Sequence, residues 1–230
     1  MALPTVGFCS DEDVALRAGA DLPVLLPADQ AYAAGNDGVF ASGTRWLLAS
    51  VSAAFSTQGV AAGMIASLSL PVRGQIVPDQ TFIVDSVAVG GATLRRKGLA
   101  SGAGQPPAPV GGATAVPFTV STFAPQILRA SYDLDQRLGL TSSSVLADPT
   151  QLTQACVLTV LWPLYEMAAR RETPEAKTSE DRDASHAQML WAKSRSLKNE
   201  LEELLGRLTI QLSTDPVGQT LNKFGMRVSR

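Results

Sequence analysis

The composition of this chain breaks near residue 124, and the break limits what each side can fold into. Residues 1–124 hold 15 of the 19 glycines and 9 of the 14 prolines but only 14 charged residues, whereas residues 125–230 hold 26 charged residues. Glycine and proline at that density interrupt helices and punctuate short strands. Charges interleaved with apolar residues suit amphipathic helices. The expected fold class is therefore α+β. Residues 1–124 read as a β-rich domain, sandwich or barrel-like, with a short N-terminal helix. Residues 125–212 read as an antiparallel helix bundle, and residues 213–230 as an extended tail. With 230 residues, of which 45% are hydrophobic and 17% charged, both regions can bury a core.

Charge and targeting signals exclude several classes. A formal net charge of −2 sets up no field that would draw the chain to nucleic acid or anionic lipid. Met1–Phe8 lacks the basic and apolar regions of a signal peptide, and no stretch reaches the ~18 apolar residues of a membrane span. The expectation is a soluble chain, intracellular at synthesis. Cys9 and Cys156 lie far apart without CxxC spacing, so neither a disulfide framework nor a zinc site is expected, and both read as buried thiols.

Local signals place the elements. Ser10 followed by Asp13 has capping-box spacing, and Gly19 stops the helix it starts. Asn36-Asp37-Gly38 reads as a turn before the strand Trp46–Val51. Met64–Leu70 reads as a strand ended by Pro71, and Thr81–Val89 as one ended by Gly90-Gly91. In that last run, Phe82, Val84, Ser86 and Ala88 alternate with Ile83, Asp85, Val87 and Val89, and neither set is apolar enough to identify the buried face. Leu94–Val116 combines Arg95-Arg96-Lys97 with Gly98, Gly102, Gly104, Pro106, Pro107, Pro109, Gly111 and Gly112, which suits either a mobile loop or an arm ordered against a neighbour. Pro117–Phe123 is a further strand.

Beyond it the period becomes helical. Ile127, Ser131, Leu134 and Leu138 share a face ended by Gly139. Asp148-Pro149 caps a second helix carrying Leu158, Leu161, Trp162, Tyr165, Ala168 and Ala169, with a kink expected at Pro163. Ser179-Glu180-Asp181 opens a third, with Leu190, Leu197, Leu201, Leu204 and Leu208 on its apolar face. The expected bundle core is Leu134, Leu138, Leu158, Leu161, Trp162, Leu197, Leu201 and Leu204.

No cluster carries catalytic or metal-binding chemistry. His186, the single histidine, reads as a surface residue without the partners of a base or ligand. No Gly-x-Ser-x-Gly elbow occurs, and no Lys-Ser/Thr follows Gly102-x-Gly104, so neither a hydrolase nor a phosphate-loop reading holds. No catalytic residue, cofactor or metal is expected. Arg95, Arg96 and Lys97 read either as a solvated strand edge or as a contact to acidic groups of a neighbouring subunit. Glu200, Glu202 and Glu203 read either as a solvated helix face or, repeated around a ring, as the lining of a passage that DNA crosses without sticking.

The helical half, through Ala130–Gly139, Pro149–Arg170 and Asp183–Leu208, resembles the head-to-tail connectors, or adaptors, of tailed bacteriophages. In that family a short helix precedes an apolar one and a long outer one. The resemblance implies a homo-oligomeric ring, a dodecamer, in the virion neck and assembled in the host cytoplasm. Its partners would be the portal protein and a downstream neck or tail protein, with DNA passing through and no membrane involved. Pro216–Arg230 would be the portal-docking tail, with Lys223, Phe224, Arg227 and Arg230 as its contacts. The Gly/Pro-rich β half departs from the smallest, all-helical members. A tail-terminator or other tail-tube ring protein is the alternative within the structural class. An enzyme or ligand-binding module is the alternative outside it.

Overall fold

The structure, a computed structural model, describes residues 7–40, 46–72, 75–100, 113–139, 149–172, 182–210 and 219–220. The chain forms two compact units, one of Ala15–Phe123 and the other of residues up to Val14 together with those from Ala124 onward. The N-terminal segment, read from sequence with the β-rich half, thus groups with the helices.

The first unit is a closed barrel. Strands β1 (Ala31–Phe40), β2 (Leu47–Ala49), β3 (Ile65–Val72), β4 (Gln75–Ala88), β5 (Gly91–Arg95) and β6 (Val116–Ser121) pair in the order β1-β2-β5-β4-β3-β6, and β6 returns to β1. Every pairing is antiparallel. A six-stranded barrel is too narrow for an open lumen, so side chains fill it, with bulky residues set against small ones. Phe40, Trp46, Phe82 and Phe118 pack inside with Ala33, Ala66 and Ala92. Trp46 and Phe82 lie 4.9 Å apart between ring centroids, and Phe55 and Phe118 5.5 Å apart. Each such ring contributes about 1.5–3 kcal/mol by leaving water.

Bulges explain where sequence and structure part. Asn36 and Asp37 make no turn. They are the two residues of a bulge inside β1 that lie opposite the single residue Pro117, between the pairs Gly35↔Phe118 and Gly38↔Val116. A second bulge, between Val84 and Ser86, shifts the alternation of β4, so that Phe82 and Val84 face the core and then Val87 packs against it. β3 also runs past Pro71, which is in register with Ile76. β6 follows β3 only as far as Leu68, so the donor that Pro71 lacks falls on the side β6 does not pair. Gly91, at φ 149°, is required by close packing: a Cβ there would sit 2.4 Å from the Leu48 carbonyl oxygen.

The second unit contains α3 (Ala124–Leu138), α4 (Pro149–Glu172) and α5 (Arg182–Arg207). α3 buries Ile127, Ala130, Ser131, Leu134 and Leu138 and is followed by Gly139 at φ +60°. α4 starts at Pro149 and continues through Pro163. Four consecutive buried residues, Ala155–Leu158, place apolar surface all round it, as in a central helix. Contacts from α4 to α5 run in opposite senses: Gln154 to Glu200, Trp162 to Ser194 and Arg170 to Trp191. α5 buries Leu190 and Leu201, and Leu208 just beyond its end is buried too, but Leu197 and Leu204 are only half-buried. Trp162 is half-buried as well, with the Lys198 ammonium 5.4 Å from its ring centroid. After α5, β7 (Thr209–Ile210) pairs with β8 (Gln219–Thr220), a short ladder where sequence suggests plain extended chain. The helix-opening Ser179-Glu180-Asp181 lies outside the described residues.

At the N-terminus, α1 (Asp11–Ala18), followed by the one-turn α2 (Leu22–Leu25), is capped as its sequence predicts. The Asp13 carboxylate accepts from the Ser10 amide at 2.8 Å and hydroxyl at 2.7 Å, and the Asp13 amide donates to Ser10 Oγ at 3.2 Å. No described helix is long and apolar enough to cross a membrane.

Candidate functional site

The three adjacent cations are divided by the end of β5. Leu94 points into the core, 0% exposed, so Arg95 projects from the outer face. There its Nε lies 3.4 Å from Asp85 Oδ1 of β4, the two side chains being only 13% and 15% exposed. Its Nη1 also donates to the Leu99 carbonyl at 2.6 Å, closing the turn beyond the strand. Arg95 is therefore a structural tie. β5 is paired on both sides, so the reading of these cations as a guard on an open strand edge does not apply.

Arg96 and Lys97 are the two cations left to meet a partner. The Arg96 guanidinium lies 5.6 Å from the Trp46 ring centroid, a cation–π contact worth about 0.5–1 kcal/mol at an exposed site. Lys97 is half-buried, and burial lowers its pKa from the ordinary lysine value, because a partly desolvated ammonium loses hydration. A carboxylate or phosphate brought beside Lys97 would offset that loss. Next to the two cations is a cavity of about 570 Å³, lined by Pro23, Trp46, Gln80, Phe82, Arg96 and Lys97 among others. An aromatic floor with a cationic rim suits an acidic side chain or small anion.

The acidic residues of α5 differ in exposure. Glu200 is half-buried and accepts a hydrogen bond from Gln154 Nε2 at 3.3 Å. Glu202 and Glu203 are exposed, and Glu203 pairs with Arg207 one turn later. Only Glu202 and Glu203 are thus presented outward. His186, on α5, is half-buried. Among the described residues, no group of three or more His, Cys, Asp or Glu side chains could hold a metal ion. Lys223, Phe224, Arg227 and Arg230, and residues 101–112 of the Gly/Pro-rich segment, lie outside the described residues.

Two constellations carried no sequence signal. Asp37, in the β1 bulge, accepts four hydrogen bonds: from the Ser52 hydroxyl and amide at 2.7 and 2.8 Å, the Ser50 hydroxyl at 2.8 Å and the Val51 amide at 2.9 Å. The Ser52 contacts, then that from Ser50, hold its carboxyl well below the usual carboxylate range. The other is the meeting of Cys9 and Cys156, whose sulfurs lie 2.9 Å apart. No protein-family model, curated protein or solved structure matches the chain.

Proposed function

We propose that this chain is a structural, ring-forming subunit of the head-to-tail adaptor type, binding a portal ring and forming part of the DNA passage in a phage neck. The observation that carries the reading is the order of the helices: the 15-residue α3, then the 24-residue α4 with its run of four buried residues, then the 26-residue α5 with a charged outer side. On this reading the three helices form an antiparallel bundle with α4 at its centre. Glu202 and Glu203 face the passage, where like charge keeps DNA from sticking. Arg96 and Lys97 receive an acidic group of the neighbouring subunit at the barrel cavity. Pro216–Arg230 docks into the portal, and catalysis has no part.

Co-sedimentation with the portal ring of the same virus tests this. The full chain should pellet with portal, and a chain lacking Pro216–Arg230 should stay folded and remain in the supernatant. A full chain that ignores portal would sink the adaptor reading, and a truncated chain that still pellets would remove the docking role of the tail. The cavity beside Arg96 and Lys97 favours a second reading, a module that binds a small anion. On that reading, phosphate or a dicarboxylate would raise the melting temperature of the wild type but not of an R96A/K97A chain.

A further inference from the structure

We propose that Cys9 and Cys156 form a redox-active pair whose reversible disulfide clasps the N-terminal segment onto α4. The inference is independent of the adaptor reading and rests on how the two sulfurs are held.

The pair is 147 residues apart in sequence, with the sulfurs 2.9 Å apart in space. Three contacts fix the backbone immediately before Cys9. The Phe8 amide donates to Ser131 Oγ of α3 at 2.9 Å, and the Phe8 carbonyl accepts from Thr153 Oγ1 of α4 at 2.8 Å. Gly7 lies so close to α3 that a Cβ on it would sit 2.4 Å from Ile127 Cγ2. The segment is thus laid across two helices with its thiol facing the α4 thiol. A disulfide bond is about 2.05 Å long, so closing it needs less than about 1 Å of movement from either sulfur.

The environment also assigns the two roles. Cys156 is fully buried and Cys9 half-buried. The Cys9 thiol donates toward Cys156, whose sulfur also has Ser131 Oγ at 3.5 Å. That hydrogen bond from Cys9, followed by those from Ser131 and the backbone of Cys9 and Phe8, holds the Cys156 thiol below its ordinary value despite its burial. Cys9 is pushed up, chiefly by its hydrogen bond to Cys156, then by burial and by the charges of Cys156, Asp13 and Asp11. Cys156 is the thiol that ionises more readily, and Cys9 the one that a solute can reach.

With a small disulfide such as oxidised glutathione as oxidant, the steps balance. The Cys9 proton shifts to Cys156, and the Cys9 thiolate attacks one glutathione sulfur. The glutathione S–S bond breaks, one glutathione thiolate leaves, and it takes up the proton that Cys156 now releases. The Cys156 thiolate then attacks Cys9 Sγ, forming the Cys9–Cys156 bond and expelling the second glutathione, which is protonated by solvent. Counting the proton that Cys156 loses to solvent on ionising, the protein gives up two electrons and two protons, and the oxidant becomes two thiols. Closing so long a loop restricts the unfolded chain most.

The test exposes the full native chain to oxidised glutathione, quenches it in acid and measures intact mass and peptide linkage. The expected product is a single chain lighter by two hydrogens, with the Cys9 and Cys156 peptides linked. Added dithiothreitol should reverse it. Its melting temperature should exceed that of the reduced chain by about 5–15 °C. C156S should stop at a glutathione adduct on Cys9, and C9S should resist modification. Two free thiols after exposure, a persistent adduct on wild-type Cys9, or linkage only between chains would overturn the proposal. A folded C156S chain that takes up no glutathione would overturn the assignment of Cys9 as the accessible thiol.

Discussion

Replacing Leu201 with alanine separates the structure's account of the helical unit from the sequence pattern. The pattern gives Leu197, Leu201 and Leu204 equal weight on one face of α5. In the structure Leu201 is 3% exposed, whereas Leu197 and Leu204 are only partly buried. Leu→Ala removes three carbons, which at about 0.8 kcal/mol each is a transfer loss of ~2.4 kcal/mol for a fully buried side chain. The unfilled space left behind raises the cost, so L201A should lose about 3–4 kcal/mol. L197A and L204A, which bury about two thirds or more of their surface, give up most of the transfer loss but leave little enclosed space, so each should lose about 1.5–2 kcal/mol. Urea unfolding followed by far-ultraviolet circular dichroism reports the helical unit directly, and the midpoint should fall with an unchanged slope. An L201A loss below about 1 kcal/mol, or an L197A loss equal to it, would refute the packing of α5 described above.

Three other outcomes follow from named contacts. Asp37 has a folded pKa depressed below its ordinary value of 3.8, so its contribution to stability is fully present above that value and is lost as pH falls toward the folded pKa. The stability gap between wild type and D37N should therefore narrow on acidification below about pH 4, and a gap constant with pH would remove the role given to the β1 bulge. Neutralising Asp85 leaves the mostly buried Arg95 without its counter-charge, so D85N should cost about 1–3 kcal/mol. In a double-mutant cycle with R95Q, the coupling should be about 1–2 kcal/mol; a coupling near zero would mean that solvent screens the pair.

The composition break made the class legible, and the helices were readable almost residue by residue. Ser10 and Asp13, Pro149 and Gly139 set termini through local backbone chemistry, which a sequence carries on its face. The barrel was less legible because its distinguishing features are bulges. A two-residue bulge at Asn36-Asp37 has the composition of a turn, and only the pairing partner Phe118–Val116 decides between them. The bulge beyond Val84 reverses the alternation that would have identified the buried face of β4. The candidate site divided for a similar reason. Arg95, Arg96 and Lys97 are equivalent as letters, but alternation across the sheet sends Arg95 to Asp85, while Arg96 comes to lie over Trp46. Cys9 and Cys156 gave no signal, since their meeting depends on the N-terminal segment crossing α3 and α4, a contact between positions 147 residues apart.

The mass of the purified particle in solution, measured by light scattering across a range of concentrations, tests the central claim most directly. A ring-forming adaptor subunit should give a discrete, concentration-stable assembly of many copies, dodecamer-sized by the family resemblance, either alone or once portal is added. A particle that stays at the 24.1 kDa of one chain under both conditions would contradict the account.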